Sequence, residues 1–314
     1  MGNAMKHCFI INPAAGKTDR TTELSYKITS LCKERELDFE IAISHAAGQC
    51  EALARAAAEA GEPCRIYACG GDGTLNEVVN GVAGFPNVAV THYPTGSGND
   101  FIKSSSDPAA FSDLSQLLDP DEKEFDLIEV GERFGLDICS IGIDARIGTD
   151  VAKYKRLPLI SGSGAYILST LVNVIKGIHR HYIIEVAGKV IDANQTMICA
   201  CNGRWYGGGF NPMPDAVLDD GLLDVLVVEP VTRLQVASVV GQYKAGKYRD
   251  LPDLIQHFRV PEITIHCDEP SRISVDGELV VAQDVTFRIS EKKLRFFYPK
   301  GLSWAPKEAP VPVG

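Results

Sequence analysis

The chain has 314 residues, 45% of them hydrophobic and 23% charged, and carries a net charge of −10. That length accommodates two domains with separate cores, and the composition is that of a globular protein. The acidic balance, with no compensating basic run, argues against nucleic acid as a partner. No apolar stretch reaches the ~18 residues of a membrane span. Phe9 to Ala15 is also too short and too soon interrupted for a signal-peptide core, so a cytoplasmic protein is expected.

In chain order, strands and helices alternate at first: strand 8–11, helix about 18–36, strand 38–43, helix about 47–61, strand 64–69, helix 74–83 and strand 87–91. This alternation predicts a parallel, doubly wound α/β sheet. From about residue 125 the pattern changes to short apolar runs separated by Gly, Asp and Pro. They lie at 125–130, 136–142, 182–192, 196–201, 223–228, 262–267, 272–276, 278–281 and 284–297, and they predict an antiparallel, sandwich-like β domain. The nine cysteines form no CxxC pair, and Cys8, Cys64, Cys69 and Cys139 sit in apolar runs. They read as reduced, buried packing residues, and Cys199-Ala-Cys201 as strand rather than metal site.

The chemistry concentrates where strands end. Cys69 to Gly81 (CGGDGTLNEVVNG) follows an apolar strand and opens a run with Leu75, Val78, Val79 and Val82 at helical spacing. Gly70, Gly71 and Gly73 can take positive φ and let main-chain N–H groups approach an anion. Thr74 is expected to cap the helix, whose positive end faces the same anion. Asp72 fits beside a phosphate if a divalent cation lies between them. The alternative for this segment is an ordinary tight turn. Ile10 to Lys17 (INPAAGK) repeats the strand–turn–helix arrangement without P-loop spacing, and Asn12 there could hold ribose or phosphate. Tyr93 to Phe101 (YPTGSGNDF) adds Gly96 and Gly98, the Ser97 hydroxyl, and the side chains of Asn99 and Asp100. In an open α/β sheet such loops line the ligand crevice.

With NPAAG at 12–16, GGDGTLNEV at 70–78 and PTGSGNDF at 94–101, the chain resembles the diacylglycerol-kinase-like catalytic domain of soluble bacterial lipid kinases. This domain is shared with diacylglycerol, sphingosine and ceramide kinases. The resemblance continues through Gly142-Ile143-Asp144-Ala145, NGRWYGGGF at 202–210, DAVLDDGLLDV at 215–225 and VDGE at 275–278. It departs at Ser97, where the family has threonine, and at Pro212 and Met213. It implies an NAD-kinase/phosphofructokinase-like nucleotide-binding lobe of residues 1–124 with 301–314, a β-sandwich lobe of 125–300, and an active site between the lobes.

The resemblance also assigns roles. Asn12, Ser44, Gly70, Gly71, Asp72, Gly73, Thr74, Asn76, Ser97 and Asn99 are implied as nucleotide contacts. Asp72, Asp100, Asp126 and Asp276 are implied to form a water-mediated magnesium network, and Glu278 is implied as proton acceptor, with Asp276 beside it. Val275-Asp276-Gly277-Glu278 would send both acids to one side if it continues as a strand, since alternate residues share a face. An exposed hairpin turn is the alternative. Asp219-Asp220-Gly221-Leu222 resembles a structural ion loop, with Asp220 and the carbonyls of Val217 and Leu222 as ligands to Mg²⁺ or Ca²⁺. A hairpin turn without an ion is the alternative there. Gly207-Gly208-Gly209 reads either as an approach for the acceptor lipid or as a strand bulge.

The implied function is an ATP- and Mg-dependent lipid kinase acting on a diacylglycerol-type hydroxyl. The alternatives are a sphingoid-base or other lipid kinase, an NAD-kinase-like enzyme, and a catalytically silent nucleotide-binding regulator. The acceptor makes a membrane lipid the partner and peripheral membrane contact the setting, with a homodimer also compatible. Lys153, Lys155 and Arg156 form one basic patch; Lys176, His179, Arg180 and His181, after the apolar run Tyr166 to Ile178, form another. Either patch could dock on a bilayer or be a solvated helix end.

Overall fold

The computed structural model describes residues 5–155 and 177–306. It divides into two compact units: Met1–Leu127 with Glu291–Ala305, and Ile128–Ser290 with Pro306–Gly314. Lys176, Arg156 and most of the apolar run from Tyr166 lie outside the described residues.

The first lobe is a six-stranded sheet. Its strands are β1 (Lys6–Ile11), β2 (Phe39–Ile43), β3 (Cys64–Gly70), β4 (Val88–Pro94) and β5 (Pro120–Phe125), with the last strand of the chain, β16 (Leu294–Pro299), completing it. The order is β2-β1-β3-β4-β16-β5, parallel except for the β5 edge. β1, β3 and β4 read as near-continuous apolar runs because helices cover both faces of a parallel sheet. Helix α1 (Thr21–Glu34) joins β1 to β2, and α2 (Gln49–Glu59) carries the chain back past β1 to β3. The connections out of β1 and β3 therefore diverge at their carboxyl ends, which is the topological switch point where α/β sheets bind ligands. Helix α3 (Asp72–Val82) starts there.

β16 belongs to this lobe because its side chains build the lobe's aromatic core. The Phe297 ring meets Tyr67 edge-on at 4.9 Å, and Phe296 meets Phe101 at 5.1 Å. Trp304 then packs on Phe125 at 4.9 Å, so the Gly301 to Trp304 segment lies in the same unit. The run of apolar residues over 284–297 assigns residues 291–300 to the second domain, because β15 and β16 are contiguous in sequence. The aromatic contacts put them in the first. β5 (PDEKEF) escaped notice since its charges suit an exposed edge and leave no apolar run.

The second lobe is one ten-stranded antiparallel sheet: β6 (Ile128–Val130), β7 (Arg133–Gly135), β8 (Ile138–Gly142), β9 (Arg180–Val186), β10 (Lys189–Gln195), β11 (Met197–Cys201), β12 (Leu223–Val228), β13 (Ile255–Val260), β14 (Glu262–Val275) and β15 (Glu278–Ile289). β14 pairs with β15 on one side. On the other it pairs with β9 through Thr264–Cys267 and with β8 through Ile273–Val275, the register shifting between His266 and Ser271. The sheet thus divides at a bulge, and both branches contribute to one core. Ile184 of β9, Ile198 of β11, Val225 of β12 and Phe287 of β15 all bury there, which is the sandwich-like arrangement expected.

The outer faces of β11 and β12 are buried too. Cys199, Cys201, Leu226 and Val228 pack with Ile143 and Ile147 of helix α5 (Ile143–Lys155) and Tyr243 of helix α6 (Arg233–Lys244), the chain's α4 being the single turn Leu114–Leu117. Thr232 and Gln235 cap α6 reciprocally. The run read as one strand over 182–192 is the β9–β10 hairpin, turning at Ala187 and Gly188 with positive φ. The run over 284–297 ends β15 and begins β16. All nine cysteines are buried and free of disulfides.

Candidate active site

Three strand-end loops of the first lobe come together main chain against main chain. Asn12, just past β1, donates its backbone N–H to the Cys69 carbonyl (3.0 Å), accepts from Ala14 N–H on Oδ1 (3.0 Å), and donates from Nδ2 to Thr74 Oγ1 (2.9 Å). One amide therefore ties the loop after β1 to the loop after β3. The loop after β4 joins them through Thr95 and Gly96, whose N–H groups reach the Gly70 carbonyl at 2.8 and 3.1 Å. A Cβ on Gly96 would lie 2.4 Å from Gly71 Cα, and one on Gly98 would lie 2.3 Å from Asp72 Oδ2. The glycines are needed for this close approach. Gly70, Gly71 and Gly73 are not among the residues with positive φ, so the turn uses the missing Cβ of Gly70 and Gly71 and not the left-handed region open to them.

Helix α3 begins two residues earlier than the periodicity suggested, because Asp and Gly at its start carry no apolar signal. Its N-cap is Gly71, which is extended and makes no side-chain cap. Thr74 is not the cap: its buried hydroxyl accepts from Asn12. The first intrahelical bond runs from Leu75 N–H to the Gly71 carbonyl (3.1 Å). The N–H groups of Asp72, Gly73 and Thr74 thus have no acceptor within the helix and face the same end as its positive dipole. Uncapped N–H groups, a dipole and a glycine-lined floor suit a phosphate.

The acids of this lobe are already engaged. Asp72 Oδ1 accepts the Asp100 N–H at 2.5 Å, which locks the loop after β4 to the start of α3. Asp100 is buried and pairs with Lys103 (2.5 Å); Asp126 is buried and pairs with Lys293. These are hard oxygen donors, and Asp72 and Asp100 lie side by side, so the residues fit a magnesium ion held mainly through water. Ser97 is exposed, while Asn99 sits at φ 51° with its amide donating to the Gly96 carbonyl (2.9 Å). Ser44 is buried beside Asn12's strand, its N–H on the Ile11 carbonyl (2.9 Å). Asn76 is buried down the helix, and its carbonyl and amide oxygens accept from Asn80.

Two supporting residues were missed in the sequence. His92, fully buried in β4, donates Nε2–H to the Gly70 carbonyl (3.0 Å), and burial holds its pKa below the ordinary value, so a neutral ring braces the glycine turn. Glu77 accepts from the N–H groups of Gly48 and Cys50 (2.9 and 3.0 Å) and so caps α2 from α3. The signal for His92 was a polar Thr-His pair inside an otherwise apolar strand.

In the second lobe, Asp276 and Glu278 do not alternate along one strand. Val275 pairs with Glu278, and Asp276 and Gly277, at φ 50° and 95°, form the two-residue hairpin turn between β14 and β15. Glu278 is exposed. Both Asp276 carboxylate oxygens face main chain: Oδ2 accepts from Leu136 (2.6 Å), and Oδ1 accepts from Asp137 (3.0 Å) and Ile138 (2.9 Å). At least three of about four lone-pair positions are taken, which leaves Asp276 suited to an outer, water-mediated place on a metal.

The Asp219–Leu222 loop fits its implied ion less well. Asp220 accepts the Leu222 N–H on Oδ1 (3.1 Å), and its Oδ2 is bound by Arg259, which also reaches Asp224 (3.2 Å). A guanidinium already neutralises the carboxylate a divalent cation would need. Among the described residues no three His, Cys, Asp or Glu side chains cluster as a metal site. Gly207, Gly208 and Gly209 all have positive φ, in a tight loop closed by the Tyr206–Phe210 bridge.

Fold and strand-end loops define a protein with a parallel α/β lobe, whose strand-end loops converge on the start of α3, followed by an antiparallel β domain. The diacylglycerol kinase catalytic domain model matches residues 6–130, and the model described as YegS C-terminal NAD kinase beta sandwich-like domain matches residues 137–298. The chain belongs to this diacylglycerol-kinase-like family of lipid kinases. A Pseudomonas aeruginosa protein named "Probable lipid kinase YegS-like" is 28% identical over 75% of this chain and 77% of its own length. A namesake from Pseudomonas syringae is 26% identical over 86% and 88%. A crystal structure titled as a diacylglycerol kinase from Bacillus anthracis shares the fold, with a TM-score of 0.67 at 20% identity over 94% of this chain and 97% of that one.

Proposed function

We propose that this protein transfers the γ-phosphate of ATP to the hydroxyl of a membrane lipid of the diacylglycerol type, with magnesium as cofactor. The observation that carries this is the convergence of the loops after β1, β3 and β4 on the uncapped start of α3. In this reading the N–H groups of Asp72, Gly73 and Thr74 bind the nucleotide phosphates, and Asn12 holds Thr74 in place. Asp72 and Asp100 would hold magnesium through water, with Asp126 and Asp276 as further members of that network. When bound, magnesium neutralises charge on the phosphates during transfer. Glu278 accepts the proton of the lipid hydroxyl. It is exposed and follows directly on the turn that holds Asp276. A lipid acceptor places the working protein at the cytoplasmic face of a membrane as a peripheral partner. Among the described residues no helix is long and apolar enough to cross one.

The test is incubation with γ-labelled ATP, Mg²⁺ and a total lipid extract, followed by identification of the labelled product. Label is expected in a phosphorylated diacylglycerol-type lipid, with Asp72→Asn and Glu278→Gln each lowering the rate by about 10²-fold or more at unchanged melting temperature. Label in soluble NAD-type products, or ATP binding with no transfer to any lipid, would replace this reading.

A further inference from the structure

Outside the phosphate-binding loops, the second lobe holds a strongly cationic cavity of about 250 Å³. Its walls are Arg146 and Asp150 of α5, Arg180 and Tyr182 of β9, and Ser271 and Arg272 beside the β14 bulge. At about 30 Å³ per water, that is room for roughly eight waters. Three guanidiniums and one carboxylate thus line the cavity, in a chain whose overall charge is −10.

That carboxylate is spoken for. Asp150 is buried and pairs with Arg272 at 2.5 Å. Arg146 donates to the main-chain carbonyls of Gly177 (2.6 Å) and Gly142 (3.4 Å), which orient its fork. Burial and then the nearby Arg180 lower the Arg146 pKa; Tyr182 and Asp144 push it the other way, and Arg272 adds a smaller push downward. Tyr182 adds a neutral hydroxyl, its pKa pushed up to about 12 by burial. Asp268 and Glu269 line the adjoining depression with Arg180, and Asp268 is bridged there by His181 (3.2 Å). Guanidinium forks converging with hydroxyl donors match the geometry of a phosphate, which accepts paired N–H bonds.

We infer that this arginine-lined cavity binds a phosphate group, either free or carried on a lipid headgroup. The site is independent of the kinase reading, because binding can be scored without turnover. The test uses the full chain in two arms. One titrates inorganic phosphate calorimetrically. The other sediments the protein with vesicles of phosphatidylcholine alone or mixed with phosphatidylglycerol. Arg180 is exposed, so Arg180→Glu should leave the melting temperature unchanged while weakening binding roughly tenfold or more; Arg180→Lys should lose less. Phosphate binding that Arg180→Glu abolishes supports a site for the free anion. Binding only to phosphatidylglycerol vesicles, with the same dependence, supports a headgroup site. If neither arm shows binding that depends on Arg180, the inference is overturned.

Discussion

At the scale of single residues, much of the first lobe's site is set by where a Cβ cannot go and which polar groups are buried. His7 is an example away from the loops. It is buried in β1, with Nδ1 2.8 Å from the Tyr67 hydroxyl, and burial followed by the Arg65 charge pushes its pKa down to about 4. Above the ordinary value of about 6.5 the ring is neutral folded or unfolded and pH has no effect through it. As pH falls below that, the unfolded chain takes up the proton and the folded one does not, so stability is lost until the folded ring titrates near pH 4. The loss is at most about 3 kcal/mol. Thermal melts between pH 7 and 4 should show this slope, and His7→Gln should flatten it; an unchanged slope in the variant would remove His7 as its origin.

At the scale of elements, Arg259 decides how the Asp219–Leu222 loop is held. It lies on β13 opposite Asp224 of β12, and its guanidinium reaches both Asp220 and Asp224. The wild-type melting temperature should therefore be insensitive to EDTA. Arg259→Gln should lower it by several degrees, since one partner of a largely buried pair is lost, and added Mg²⁺ should restore part of the difference. A fall on EDTA treatment of the wild type would instead show an ion bound alongside Arg259.

Elements also show what the sequence could carry. β1, β3 and β4 were legible because burial on both faces writes an unbroken apolar run. The start of α3 was displaced by two residues, since Asp72 and Gly73 precede the buried positions of the helix and carry no apolar signal. The DGE turn was readable only as two alternatives, and its pairing, Val275 to Glu278, needed the long-range register of β14 with β15. Helix α6 and β13 were not foreseen. The Asp276 bonds to residues 136–138 were out of reach for the same reason as the Arg259 pair: partners far apart in sequence leave no periodic mark.

At the scale of the whole molecule, the chain crosses from the first lobe to the second near Leu127 and returns near Glu291 to complete the first sheet. The first lobe cannot close its aromatic core until β16 and Trp304 arrive, so the two ends of its sheet depend on the full chain. Two domains were legible from the change of pattern near residue 125. The return of β16 was not, because nothing local distinguishes it from the strand before it.

The most direct measurement is a calorimetric titration of Mg·ATP into the full chain and into Gly96→Ala, whose added Cβ would press on Gly71 Cα from 2.4 Å and separate the loops after β3 and β4. Binding by the wild type, weakened at least about tenfold in a variant that melts at a similar temperature, is the expected result. Equal affinity in the two proteins would contradict the assignment of these loops as the phosphate site.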